Sequence, residues 1–182
     1  MLIHTPNLRL LSCDLAHLEA IVRGPRSLGE LLNVSIPPNW PAHPQAYPHA
    51  LDLLRLEPSR ALSGWWLYLF LLAEERTLIG CGGFKGPPDA LGDVELGFEI
   101  APAHRKRGLD AEAVRGLIRY AFTRPATQSV SALTLPDGDP RARVLRAAGL
   151  RAAGSERDAQ AGPVTRWRIT RNAFEDLLRK AA

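Results

Sequence analysis

VELGFEI (Val94–Ile100), APAHRKR (Ala101–Arg107) and GLDAEAVRGLIRYAF (Gly108–Phe122) follow one another without a break, and the rest of the chain is read outward from them. In the first, Val94, Leu96, Phe98 and Ile100 alternate with Glu95, Gly97 and Glu99, the period of a strand with one buried face. In the last, Leu109, Ala113, Val114, Leu117, Ile118, Ala121 and Phe122 recur at helical spacing, which predicts an amphipathic helix packed on that strand. Between them, Arg105, Lys106 and Arg107 stand directly ahead of the helix start. The free N–H groups and positive dipole end of a helix disfavour adjacent cations unless an anion binds there. Strand, basic glycine-containing turn and helix are the layout of a phosphate seat; the plainer reading is a solvated basic loop.

At 182 residues and 46% hydrophobic, the chain has enough core for one globular domain, residues 1–182. Its most apolar run, Gly64–Ala73 (GWWLYLFLLA), is strand-sized and well short of the roughly 20 residues of a membrane span. MLIHTPNLRL lacks the charged start and apolar stretch of a secretory signal. Cys13 and Cys81 are too few and too far apart for a disulfide framework, and read as reduced thiols of a cytoplasmic protein with no membrane partner. The net charge of +4 suits anionic ligands, but no basic run interleaved with aromatics points to nucleic acid. Histidines 4, 17, 43, 49 and 104 have no metal-ligand spacing, so no metal is expected, and His104 reads as a surface residue.

In chain order, Asn7–Leu11 reads as a short strand, and Ser12 to Asp14 offer caps for a helix through Leu15, Leu18 and Ile21 that Gly24-Pro25 ends. Pro37 to Pro48 form a stiff loop carrying an exposed aromatic, Trp40. Pro48–Leu56 is a helix candidate, Trp65–Ala73 a strand apolar on both faces, and Leu78–Phe84 a strand whose three glycines let another backbone come close. After the Leu109–Phe122 helix come a strand at Val130–Leu135, a turn at Pro136–Pro140 that caps a helix over Arg141–Ala148, and a final strand pair ending at Thr165–Ile169. Thr170–Ala182 reads as a helix with Phe174, Leu177 and Leu178 facing inward. The pattern is α/β (α+β): a mixed, mostly antiparallel twisted sheet flanked by helices.

The acidic strand, basic turn and helix resemble the acetyl-CoA-binding core of the GNAT acetyltransferase superfamily, specifically its RimJ/RimL-like branch. TPNLRLLSCDLAHLEAI resembles that branch's first strand and helix, and LTLPDGDPRARVLRAAGL its later strand, turn and helix, so the resemblance covers nearly the whole chain in order. It implies the GNAT fold, acetyl-CoA as co-substrate, and acetyl transfer to a primary amine of a small molecule or a protein N-terminus. A homodimer is within the branch's habits. The family's pyrophosphate loop runs Arg or Gln, two variable residues, Gly, one variable residue, then Gly or Ala. Arg105, Lys106, Arg107, Gly108 and Leu109 match it, with Ala111 in the first helical turn, but the closing position holds Asp110. That carboxylate serves equally as an N-cap accepting the N–H of Ala113 or its neighbour. Two further positions depart: Gly138 where the family commonly has Asn, and Arg141 where it has Ser or Ala. A family tyrosine in the following helix is Leu145 here.

On the strand, Phe98 and Ile100 are expected to meet the pantetheine arm of acetyl-CoA. Glu95 stands where the branch has a carboxylate and is the first candidate for general base; Glu99, on the same face, is the second. Their shared face suggests a pair close enough for one to raise the other's pKa; ordinary polar residues on a solvated face are the competing reading. Trp40 is a candidate wall of the acceptor pocket or a cover for the core edge, whereas Trp65, Trp66 and Trp167 read as core. Two functions stay open: an acetyl-CoA-dependent N-acetyltransferase, or a GNAT-fold binding module that has lost transfer through Asp110, Gly138 and Arg141.

Overall fold

The strand expected at Val94–Ile100 spans Asp93–Ile100 and lies inside an eight-stranded mixed sheet. The computed structural model describes residues 1–105, 107–159 and 161–181. Its strands are β1 (Leu2–His4), β2 (Leu8–Ser12), β3 (Leu67–Leu72), β4 (Thr77–Phe84), β5 (Asp93–Ile100), β6 (Ser129–Thr134), β7 (Arg151–Asp158) and β8 (Gly162–Thr170). Its helices are α1 (Leu15–Arg23), α2 (Pro25–Leu32), α3 (Ala46–Leu56), α4 (Ser59–Ser63), α5 (Leu109–Phe122), α6 (Pro140–Ala147) and α7 (Arg171–Ala181). The sheet order is β1-β2-β3-β4-β5-β6-β8-β7.

Every neighbouring pair is antiparallel except β5 with β6. That one parallel pairing is short: Asp93, Val94 and Glu95 lie opposite Ser129, Val130 and Ser131, and there it stops. The Asp93 carboxylate fastens the start of the pair by accepting from the Ser129 and Ser131 hydroxyls. Beyond Glu95 the two strands part, and the sheet has a cleft down its middle.

The sheet is covered on both faces, which is why β3 is apolar throughout. Tyr68 and Phe70 face the larger core, shared with Leu96 of β5 and with Val114 and Leu117 of α5. Leu69 faces the other core, made with Leu18 of α1, Leu28 of α2 and Leu51 and Leu54 of α3. The β4 glycines do what their spacing suggests: a Cβ at Gly80 would sit 2.2 Å from the Glu99 carbonyl, and one at Gly83 2.0 Å from that of Trp66.

Several boundaries differ from the sequence reading. Gly24-Pro25 joins two helices, with Gly24 (φ 124°) ending α1 and Pro25 opening α2. Leu177 and Leu178 are 44% and 42% exposed, and only Phe174 of the expected trio is buried, stacked 5.1 Å from Phe122. Trp40 is 4% exposed, so the aromatic of the proline loop is core and not surface. Trp65 and Trp66 precede β3 and do not belong to it.

Candidate functional site

The parting of β5 and β6 opens a cavity of about 460 Å³. Phe98, Glu99 and Ile100 of β5 form one wall, and Leu135, Gly138 and Val144, from the end of β6 to α6, form the other. Arg105 and Asp110 lie at its floor, where the chain turns from β5 into α5. A 3₁₀ turn at Pro102–His104 makes that reversal, and Arg105 Nε locks it by donating to the Ile100 carbonyl (2.9 Å).

Gly108, at φ 77°, is the N-cap residue of α5, and no atom lies within 4 Å of where its Cβ would be. Its left-handed backbone and missing side chain leave open approach to the helix start. The first intrahelical bond is that of the Glu112 N–H to the Gly108 carbonyl (3.0 Å), so the amides before it are free of the helix ladder. Leu109 and Ala111 turn their side chains into the core and can offer a ligand only those amides.

Asp110 is not the cap expected for Ala113. It is 9% exposed in the first turn, lines the cavity, and accepts the Ala111 N–H at 2.8 Å. The three expected cations also separate. Arg105 lines the cavity, Arg107 reaches 3.4 Å to Glu75 in the β3–β4 turn, and Lys106 lies outside the described residues. Across the cavity, Asp139 caps α6, accepting from the amides of Leu135 (3.0 Å) and Arg141 (2.9 Å). Burial pushes its carboxyl up, but the hydrogen bonds of Arg141 outweigh that and hold it below the usual range. Arg141 lies flat against it, with Nη2 to Oδ2 at 2.6 Å. Leu145 is fully buried in the core.

The two glutamates have different surroundings. They stand four positions apart on the strand, about 13 Å of backbone, so the coupled pair expected from their shared face does not form. Glu95 is ion-paired with Lys85 and lines neither cavity described here. Glu99 lines the β5–β6 cavity and also a second cleft of about 370 Å³ beside it, between β4–β5 and α3. Phe98 and Glu99 are the wall the two spaces share.

Glu99 Oε1 accepts from the Ala42 amide (3.4 Å) and, more loosely, from the Cys81 thiol (3.7 Å). Cys81 in turn meets the Tyr47 hydroxyl at 3.3 Å. Burial first, and the Glu99 charge second, push the thiol far up, so Cys81 stays protonated and can donate. Cys13 and Cys81 are both free. Trp40 lines neither space; it packs behind Tyr47 with ring centroids 6.1 Å apart, so any effect it has on the cleft passes through Tyr47.

Sequence reasoning missed most of the second cleft, including Tyr47, Trp66 and Phe84. They come from α3, the lead into β3 and the end of β4, and only the run of glycines in β4 hinted at a groove there.

The cleft fits an extended thioester arm. The helix start beside it is open at Gly108, its wall is apolar at Phe98, Ile100 and Leu135, and Arg105 lines it where β5 turns into α5. Asp110 puts a carboxylate in the first turn of α5, and Asp137 and Asp139 line the same cavity together with Arg105, Arg141 and Arg143. Residues 8–151 match the family described as Acetyltransferase (GNAT) domain. The uncharacterized N-acetyltransferase YjdG of Bacillus subtilis (strain 168) is 26% identical over 134 residues, covering 72% of this chain and 79% of its own length. Among solved structures, RimL, a ribosomal L7/L12 alpha-N-protein acetyltransferase in complex with coenzyme A, has TM-score 0.70 at 14% identity, covering 95% of this chain and 99% of that one. The microcin C7 self-immunity acetyltransferase MccE, in complex with acetyl-CoA and AMP, has TM-score 0.65 at 11% identity, covering 91% and 93%. At those identities the likeness is one of fold. None of these matches favours a non-catalytic module.

Proposed function

The chain belongs to the GNAT acetyltransferase domain family, and from that premise we propose that it is an N-acetyltransferase that draws on acetyl-CoA in the β5–β6 cavity and acetylates a primary amine held at Glu99. The observation that carries this reading is the shared wall: Glu99 borders both the cavity suited to the thioester and the neighbouring cleft. Acetyl-CoA supplies the activated acetyl group. The chain's part is to bring amine and thioester together and to manage protons.

Free amides at the start of α5, with Arg105, hold the pyrophosphate; Phe98, Ile100 and Leu135 hold the arm. Glu99 binds the incoming ammonium and takes its proton, directly or through water, leaving the nitrogen lone pair free to attack the acetyl carbon. The N–C bond forms as the C–S bond breaks. The second amine proton ends on the departing thiolate or in solvent, giving an amide and free CoA thiol. Leu145 leaves no hydroxyl on α6 to protonate the thiolate, so its proton comes from the amine or from water. We place the reaction in the cytoplasm, in keeping with the two unpaired thiols.

The test is CoA-thiol release with acetyl-CoA and a panel of amines, on wild type, Glu99→Gln and Glu95→Gln. Loss of a positioned base costs roughly 10²–10⁴-fold in kcat, so Glu99→Gln falls by at least about 10² while Glu95→Gln falls far less. The reverse order would return the base to Glu95. No thiol release with any amine would remove the enzyme reading.

A further inference from the structure

We infer that the acceptor is a compact monoamine with an apolar, aryl or branched-alkyl body, and not a polyamine or a protein N-terminus; this rests on the acetyltransferase reading above. The cleft beside Glu99 is walled by Tyr47, Ala50, Trp66 and Leu67 over the backbone of β4 and β5, while the rings of Phe84 and Phe98 pack on the opposite face of the sheet. Two aromatic side chains, Tyr47 and Trp66, beside about 370 Å³ make a space at the small end of ligand sites, apolar except at its ends.

Charge fixes the rest. At the inner end Glu99 has only the Ala42 amide and the Cys81 thiol on its carboxylate, and among the described residues no cation pairs with it. At the outer end Lys85 is ion-paired with Glu95, so its charge is already matched. His43 closes the rim. The cleft therefore presents one uncompensated negative charge, placed where it meets the thioester cavity, and otherwise hydrocarbon. A single ammonium satisfies it. A second or third ammonium, as in spermine, would be forced against Tyr47, Ala50 and Trp66 with no free carboxylate to receive it. A peptide's N-terminus would carry several polar backbone groups into the same walls, where the Tyr47 hydroxyl is engaged with Cys81, β4 and β5 are paired with each other, and Trp66 Nε1 is the unpartnered donor among the described residues.

Gly97 offers a clean probe of the cleft. It lies on the cleft floor, two residues from Glu99, in extended backbone, and no atom lies within 4 Å of where its Cβ would be. Gly97→Leu should therefore fill acceptor space without pressing on the core. The experiment compares kcat/KM, by CoA-thiol release, for phenethylamine, isopentylamine, spermine and a short peptide starting with serine or alanine. It uses wild type and Gly97→Leu, with acetyl-CoA thermal shifts run on both. The expected result is at least tenfold preference for the two apolar amines. In Gly97→Leu that preference collapses at least tenfold through KM, with the acetyl-CoA shift retained.

If spermine or the peptide is preferred, the acceptor class is wrong while acetyl transfer stands. If phenethylamine turnover is unaffected by Gly97→Leu, the cleft is not the acceptor site. If acetyl-CoA shifts neither protein, the underlying reading fails and this inference goes with it.

Discussion

Asp110 lines the cavity at the start of α5, and its carboxylate holds one of the first amides of that helix, the Ala111 N–H. In the first helical turn it gains from the dipole, about 0.3–1 kcal/mol, which is reason enough for a carboxylate there in the free protein. A bound pyrophosphate reverses that balance. Two like charges about 4 Å apart cost on the order of 1 kcal/mol even at water-like screening. Asp110→Ala is thus expected to tighten acetyl-CoA roughly fivefold and to lower the melting temperature of the unliganded protein slightly. An unchanged dissociation constant by titration calorimetry would mean the carboxylate swings clear when the ligand enters. Glu99 is the other decisive residue. The sequence put Glu95 and Glu99 on one face and preferred Glu95, because pattern alone cannot see that β6 leaves β5 after Glu95. Glu95 lies in the paired part of the strand, tied to Lys85, and Glu99 in the parted part, facing open space.

The β5–turn–α5 unit was the most legible element, because its two periodicities change from two to 3.6 within a few residues of one another. Short elements were not legible. β1 has three residues, too few to show a period, and α2 hid behind a Gly-Pro pair that reads as a stop but serves as a junction. β1 and β2 are nevertheless anchored to α5 by one side chain. Glu112 accepts from the Thr5 hydroxyl (2.5 Å), the Asn7 amide (2.7 Å) and the Asn7 side chain (2.8 Å). Partial burial pushes its carboxyl up, but the hydrogen bonds of Asn7 and Thr5 outweigh that, so the net shift is downward. A carboxyl with a lowered folded pKa stabilises the protein above its unfolded pKa. That contribution is lost as pH falls through the folded value. Glu112→Gln is expected to cost about 1–3 kcal/mol at pH 7, with the gap to wild type closing in acid denaturation below about pH 4. A gap of constant size across that range would mean that the charge is not what holds the β1–β2 end to α5.

At the scale of the molecule, two cores lie on either side of one sheet, and the candidate site occupies the place where the sheet itself opens. The side of that opening proposed for the cofactor was readable as a cavity wall because it is built from one contiguous stretch plus the LTLPDGDP turn. The acceptor side was not, because α3, the approach to β3, and β4 converge on it from segments tens of residues apart, each unremarkable alone. Among the described residues no helix is long and apolar enough to cross a membrane. In the proposed function the parted sheet, the open helix start and Glu99 all act through a single event, the entry of acetyl-CoA between β5 and β6. Its most direct measurement is a thermal melt of the wild-type chain against increasing acetyl-CoA. At 100 times the dissociation constant, binding to the folded state alone stabilises by about 2.7 kcal/mol, a rise of roughly 5–10 °C for a chain this size. A saturable rise of that order is the predicted result; a melting temperature that stays fixed up to millimolar acetyl-CoA would contradict it.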